Sequence, residues 1–102
     1  MPALETILES FERISIIWTE YIKYKVDLRK FKLIKIENIL RYSKERYFDT
    51  ITRRMITVGK HDDWLVIIPY DKSENSIIPV TIHVTTRQQI NFRLKTGRFI
   101  YE

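Results

Sequence analysis

Hydrophobic residues recur at helical spacing through the N-terminal part of the chain. The stretch "ALETILESFE" predicts a short acidic helix, with Leu4, Ile7, Leu8 and Phe11 on one side. Two further amphipathic segments, "TEYIKYKVDLRKF" and "LIKIENILRYS", are separated only around Lys32, which predicts an αα-hairpin. The expected core stripes are Tyr21, Tyr24, Leu28 and Phe31 on the first segment, and Leu33, Ile36, Ile39 and Leu40 on the second.

The pattern changes to that of strands from Arg46 onward. Four segments are rich in β-branched and aromatic residues: "RYFDT", "RRMITVG", "WLVIIPY" and "IIPVTIHV". The turn-forming clusters "GKHDD" and "DKSENS" between them indicate an antiparallel meander of about four strands. "WLVIIP" is apolar on both faces and is expected to be central. Upstream, "RISIIW" is either a short strand or the lead-in to the helix pair.

The C-terminal region combines an alternating strand with a capped helix. Val80, Ile82 and Val84 face one side, and His83 the other. Thr86 and Gln89 match a capping box, and Gly97 is a stop signal, so a helix is expected from about Arg87 to Lys95. We therefore predict a single α+β domain over residues 1–102, in which the N-terminal helix pair packs on one face of an antiparallel sheet. On this prediction His83 lies on the open face and Arg87 at its rim.

Length and composition are those of a folded soluble domain. The chain has 102 residues, of which 44 % are hydrophobic and 30 % charged. No apolar run approaches the ~20 residues that span a bilayer, and the acidic N-terminus does not resemble a signal peptide. Cysteine is absent, which excludes disulfides and thiolate chemistry. We expect a cytoplasmic protein without a membrane partner.

Positive charge is concentrated in the middle of the chain. The net charge is +5, and residues 21–54 hold eleven basic and four acidic residues, whereas residues 1–20 hold one basic and four acidic residues. Such a distribution suits a polyanion, most simply nucleic acid. A solvated lysine-rich surface explains the charge equally well.

Three motifs in order resemble the RelE/BrnT-like group of small bacterial toxins, and most closely its BrnT side. "WTEYIKYKVDLRKFKL" supplies a tryptophan, a lysine and a Leu-Arg-Lys run, with Asp27 where the family has asparagine. "RMITVGK" matches the strand that an arginine opens, here Arg54, and "VTTRQQINFRLKTGRF" places Arg87 at the arginine before the last helix. The chain departs from the pattern at Phe31-Lys32, where the family has His-Gly, so no role of that histidine carries over. The last helix also lacks the family's acidic residue and multiple arginines.

The resemblance implies a ribonuclease-like fold and a toxin of a type II toxin–antitoxin system that cleaves RNA, mainly mRNA, with or without the ribosome. It also implies an antitoxin partner, which we expect to be acidic or to carry a DNA-binding element. The rival functions are a non-catalytic RNA-binding or regulatory module on the same scaffold, and a structural subunit whose basic face docks an acidic partner.

RNA cleavage without a metal needs a proton acceptor for the 2′-hydroxyl, donors for the phosphorane charge and an acid for the 5′-oxygen. The candidate catalytic residues are His83 for proton transfer, and Arg87 and Arg54 for the phosphate. His83 is alternatively a structural histidine of the strand, and Arg87 a surface ion-pair residue. Strand alternation favours Arg53 over Arg54 for the open face, and a strand start or a bulge there would reconcile the two.

Further basic and aromatic residues are candidate RNA contacts: Arg53, Lys60, His61, Lys23, Arg29, Lys30, Tyr47 and Arg93. Trp64 is a second stacking candidate. A solvated turn explains Lys60 and His61, a wet helix face explains the lysines, and packing in the core explains the aromatic residues. The group His61-Asp62-Asp63 lacks a metal-ligand spacing, and we predict neither a metal nor a cofactor.

Overall fold

The computed structural model describes residues 13–102, and the helix predicted around Leu4–Phe11 lies outside them. The elements are β1 (Ser15–Ile16), α1 (Glu20–Leu28), α2 (Leu33–Tyr42), β2 (Glu45–Asp49), β3 (Arg54–His61), β4 (Trp64–Ser73), β5 (Ser76–Pro79), β6 (His83–Thr85), α3 (Arg87–Lys95) and β7 (Phe99–Tyr101). The α+β class is confirmed, and α1 and α2 follow one another across a short connection around Lys32. Within the described residues no helix is long and apolar enough to cross a membrane.

The sheet is larger than predicted and mixed. Its strands follow the order β1-β5-β4-β3-β2-β7, and β6 also pairs with β4. β1 runs parallel to β5, whereas the other pairs are antiparallel. The prediction of about four strands is therefore too low, because the segment "IIPVTIHV" is split into β5 and β6 and the short strands β1 and β7 lie at the sheet edges. The predicted antiparallel direction is wrong for the pair of β1 with β5.

Strand β4 is central, as predicted, and its second edge is divided between two partners. Tyr70–Ser73 pairs with β5 and Leu65–Ile67 pairs with β6. Pro69 lies in the gap between these partners, where the missing N–H of proline removes no ladder bond. Its carbonyl accepts a hydrogen bond from Val80 N at 2.8 Å. The chain between β5 and β6 thus leaves the sheet next to Pro69, and this break borders the cavity described below.

Helices cover both faces of the sheet. The core on the α1–α2 face includes Ile22, Val26, Ile36 and Leu40 against alternate residues of β4. The core on the opposite face joins Ile90 of α3 to Ile56, Val58, Ile67 and Phe99. The expectation of a face left open is therefore corrected: α3 packs on it.

Helix α1 buries a different stripe from the predicted one. Tyr21, Tyr24 and Leu28 are exposed, whereas Ile22 and Val26 are buried. Ile22 and Val26 are compact β-branched side chains one turn apart, and they let the helix approach the sheet closely. The longer tyrosine side chains would hold the helix further from the sheet. Phe31, the last member of the predicted stripe, is buried from the connection to α2. The predicted core face of α1 was wrong by roughly half a turn.

Helix α3 begins and ends where the sequence predicts. Thr86 Oγ1 accepts a hydrogen bond from Gln89 N at 3.1 Å and caps the N-terminus. Gly97, with φ of +80°, ends the helix in a conformation that glycine adopts without steric cost. The predicted bounds of this helix are confirmed. They could be predicted because the residues that start and end the helix lie directly at its two ends in the sequence.

Replacement of Gly59 by alanine is expected to destabilise the fold by about 1–3 kcal/mol. An added Cβ would lie 2.6 Å from Ile39 Cγ2, where α2 packs on β3. Urea unfolding measures the loss, and the same replacement in an Ile39→Ala background should cost less. An equal cost in both backgrounds would contradict this explanation.

Candidate functional site

A cavity of about 270 Å³ opens on the α3 face, beside the break between β5 and β6. Its apolar wall comes from Ile56, Ile67, Pro69, Val80 and Phe99, and its polar lining from Asp49, Thr52, Arg54, Thr81, His83, Arg93 and Arg98. Three arginines and a histidine thus converge on one small volume that contains a single carboxylate. Such a lining is suited to an anion with an apolar part.

His83 reaches the cavity because β6 alternates as predicted. It pairs with Ile67 of β4 and shares that residue's face, whereas Ile82 is buried under the helix pair. His83 is exposed, but partial burial of its ring at the cavity lowers its pKa below the ordinary value of 6.5. Three nearby cations lower it further: Lys25, Arg29 and Arg93. The imidazole is therefore neutral at neutral pH and able to accept a proton.

Two of the cavity's arginines are held by carboxylates through Nε. Arg54 Nε donates to Asp71 Oδ1 at 3.1 Å, which leaves both terminal nitrogens of its guanidinium for a ligand. Arg98 donates from Nε and Nη2 to Asp49 at 3.2 and 3.1 Å. These contacts fix the direction of each guanidinium before a ligand binds, which reduces the entropy lost on binding.

Arg93 is the cavity's arginine without a carboxylate partner in the region 13–102. Its guanidinium lies over the Phe99 ring, 5.5 Å from the centroid. A guanidinium on an aromatic face keeps its planar fork of donors available. Arg93 therefore can direct its guanidinium donors to a phosphate without first breaking an ion pair.

Asp49 is the carboxylate in the lining of the cavity. It is buried, and its Oδ1 accepts hydrogen bonds from the backbone N–H groups of Ile51 and Thr52. Burial raises its pKa, but the hydrogen bonds from Arg98 and from these two residues outweigh burial and lower it. Asp49 is therefore ionised and structural, tying the β2–β3 turn to the start of β7.

Arg87, the predicted partner of His83, does not line the cavity. Its two terminal nitrogens bind both carboxylate oxygens of Glu45, and the Arg87 hydrogen bond is the main reason that the pKa of Glu45 is lowered. Tyr47 O–H donates to the same carboxylate at 2.6 Å. Arg87 is thus paired with Glu45 of strand β2 and is not available at the cavity that His83 lines.

Tyr47 and His61 are buried, which contradicts their prediction as RNA contacts. Tyr47 stacks on Phe99, and burial together with the Glu45 hydrogen bond raises its pKa to about 12. His61 Nε2 accepts a hydrogen bond from Lys32 N at 2.9 Å, and its ring contacts Phe31. His61 therefore joins the β3–β4 turn to the α1–α2 connection and is a structural residue.

The ambiguity between Arg53 and Arg54 is resolved by the start of β3. Arg53 lies before the strand at φ of +62°, with its guanidinium over the Phe48 ring. Arg54 opens the strand and shares a face with Ile56, towards the cavity. Met55 and Thr57, with which alternation grouped Arg53, lie on the face covered by the helix pair, so alternation chose the wrong arginine.

The other predicted RNA contacts lie outside the cavity lining. Lys60 is exposed near the end of β3, and Lys23, Arg29 and Lys30 are exposed on or after α1. Lys23 lies 3.4 Å from Glu20, and Arg29 contributes to the positive potential at His83. Trp64 is half exposed and meets the Phe31 ring edge-on. These residues form a basic periphery around α1 and the β3–β4 turn.

Sequence reasoning missed Arg98 and Asp49. They are 49 positions apart. Arg98 falls within the stretch "VTTRQQINFRLKTGRF", but neither it nor Asp49 was given a role. One signal in the sequence could have indicated Arg98. Gly97 marks the end of α3, and a strand after this turn would bring the next residue, Arg98, to the edge of the sheet.

Comparisons with protein-family models, with curated proteins and with solved structures found no match to this chain.

Proposed function

We propose that this protein binds single-stranded RNA in the His83 cavity and cleaves it without a metal, as a toxin resembling the RelE/BrnT-like group. The observation that carries the proposal is the convergence of a neutral imidazole with Arg54, Arg93 and Arg98 on one cavity. RNA supplies the anionic phosphate and the apolar base face that such a lining suits.

The proposed reaction is an internal transesterification. The His83 imidazole takes the proton of the 2′-hydroxyl, and the 2′-oxygen forms a bond to phosphorus while the bond from phosphorus to the 5′-oxygen breaks. The arginines stabilise the charge that develops on the phosphorane oxygens. The departing 5′-oxygen takes a proton from water, and the products are a 2′,3′-cyclic phosphate and a 5′-hydroxyl end.

The proposal includes mRNA as the cellular target, in translation or free, and a cognate antitoxin as the protein partner. The basic periphery supports an acidic partner, since Lys23, Arg29, Lys30 and Lys60 are all exposed. The same periphery suits the RNA backbone beyond the cavity.

RNA binding without cleavage is the second candidate function. It is favoured because His83 is the one imidazole among the described residues that line the cavity, and no second group among them is placed to donate a proton. Asp49 is paired with Arg98, and the remaining charged residues of the lining are arginines. A binding module of this kind would retain RNA with a steep salt dependence and leave it intact.

Induced expression in a bacterial host, with growth and total RNA followed together, tests the proposal. We expect the wild type to arrest growth and degrade RNA, Arg93→Ala to abolish both effects, and Arg87→Ala to retain them. The pair is matched because both arginines lie on α3 and are partly exposed, while only Arg93 lines the cavity. Growth without RNA loss in a folded wild type would contradict cleavage, and loss of toxicity in Arg87→Ala alone would favour the motif-based assignment.

A further inference from the structure

A second depression, of about 530 Å³, lies along the outer side of α3, and we call it the α3 groove. It is lined by Gln88, Gln89, Phe92, Arg93, Thr96 and Arg98. Arg93 and Arg98 also line the His83 cavity. The two depressions are therefore neighbours that share a wall of two cations.

Phe92 is the apolar surface of the α3 groove. Its position two residues from both Ile90 and Leu94 turns it away from the core, since each helical residue advances by about 100°. It is 65 % exposed, and the structure gives it no aromatic neighbour within the described residues. An aromatic ring beside two arginines presents a face on which a nucleobase can stack.

Gln88 and Gln89 provide polar groups at the same groove. Helical spacing places Gln88 one turn from Phe92, and Gln89 one turn from Arg93. Gln89 Oε1 accepts a hydrogen bond from Thr85 Oγ1 at 3.0 Å, which orients its amide nitrogen as a donor. The Gln88 amide is exposed and has both a donor and an acceptor for a base edge.

We propose that the α3 groove is a base-binding subsite for the nucleotide adjacent to the one in the His83 cavity. Phe92 stacks on the base, Gln88 contacts its edge, and the shared Arg93 and Arg98 hold the phosphate between the two nucleotides. This inference rests on the proposed function and extends it to single-stranded RNA of at least two nucleotides. It also excludes duplex RNA as a ligand of this groove, because paired bases have no free face.

Fluorescence anisotropy with a labelled eight-nucleotide single-stranded RNA tests the subsite. In His83→Asn protein, which prevents turnover during the measurement, Phe92→Ala and Phe92→Leu should weaken binding roughly tenfold, and Phe92→Tyr should not. Tyr21→Ala is the matched control, because Tyr21 is a similarly exposed aromatic on the opposite face of the sheet. An abasic ribose-phosphate strand of equal length should bind equally to the protein with Phe92 and to the protein with Phe92→Ala.

The outcomes separate this inference from the proposed function. Unchanged affinity in Phe92→Ala, with affinity lost in Arg93→Ala, would overturn the subsite and leave RNA binding at the cavity intact. Equal losses for the abasic and the complete strand would also overturn it, because stacking requires a base. No binding of RNA to the folded protein with Phe92 would overturn the subsite and the proposed function together.

Discussion

Replacement of His83 by asparagine is expected to lower the rate of RNA cleavage by about 10²–10⁴-fold, the usual contribution of a positioned acid or base. Asparagine fills similar space and keeps a polar tip, but it cannot accept the 2′-hydroxyl proton at neutral pH. Binding of RNA should persist, because the cavity's arginines remain. Single-turnover cleavage of a labelled RNA measures the rate, and circular dichroism checks the fold.

The pH dependence gives a second readout of the same residue. His83 must be neutral to act as a base, and its pKa lies below 6.5 because of burial and of the neighbouring cations. The cleavage rate should rise with pH through this lowered pKa and reach its plateau at a lower pH than an unperturbed histidine would give. Lys25→Gln removes one of those cations and should move the rise to higher pH.

A His83→Asn protein that cleaves RNA at the rate of the wild type would remove His83 from the mechanism. If Lys25→Gln does not shift the pH profile of the cleavage rate, the ionisation seen in that profile belongs to a group other than His83.

Replacement of Arg46 by methionine is expected to lower the free energy of unfolding by about 4 kcal/mol, since several hydrogen bonds to a charged group are lost and their acceptors stay buried. Arg46 is buried and donates to Thr57 Oγ1 at 2.8 Å and to Ser43 O at 3.1 Å. It also donates to the carbonyl of Leu40 and lies over the Tyr70 ring. The residue thus joins the end of α2 to the centre of the sheet.

Urea denaturation measures this loss, with Arg53→Met as the control. Arg53 is exposed in the turn before β3, and the same replacement there should cost less than about 1 kcal/mol. Equal effects of the two replacements would show that Arg46 does not connect the helix pair to the sheet in the way described.

Local patterns predicted the parts of the fold that local interactions determine. α3 has its cap and its stop within one short stretch, and the α1–α2 hairpin has two amphipathic segments with a short connection. The buried face of α1 was mispredicted, because the choice between tyrosines and β-branched residues depends on how closely the helix approaches a sheet formed later in the chain.

The lining of the cavity was predicted in part for the same reason. His83, Arg54 and Arg93 line the cavity, and each belongs to a strand or helix that was correctly placed. Arg87 was assigned to the site from its position before the last helix and from the motif resemblance, whereas its partner Glu45, 42 positions away, leaves no trace in the local pattern. Of the two histidines, His61 is buried, so exposure and not residue type distinguishes the candidate base.

The most direct test of the central claim is to incubate the purified protein with single-stranded RNA in the presence of a chelator and to identify the new ends by mass spectrometry. We expect cleavage that persists with the chelator and yields 2′,3′-cyclic phosphate and 5′-hydroxyl ends in the wild type, but not in Arg93→Ala. If the RNA binds but stays intact, the protein binds RNA without cleaving it, and the second candidate function holds. Fragments with 5′-phosphate ends, or cleavage that the chelator abolishes, would contradict the proposed mechanism.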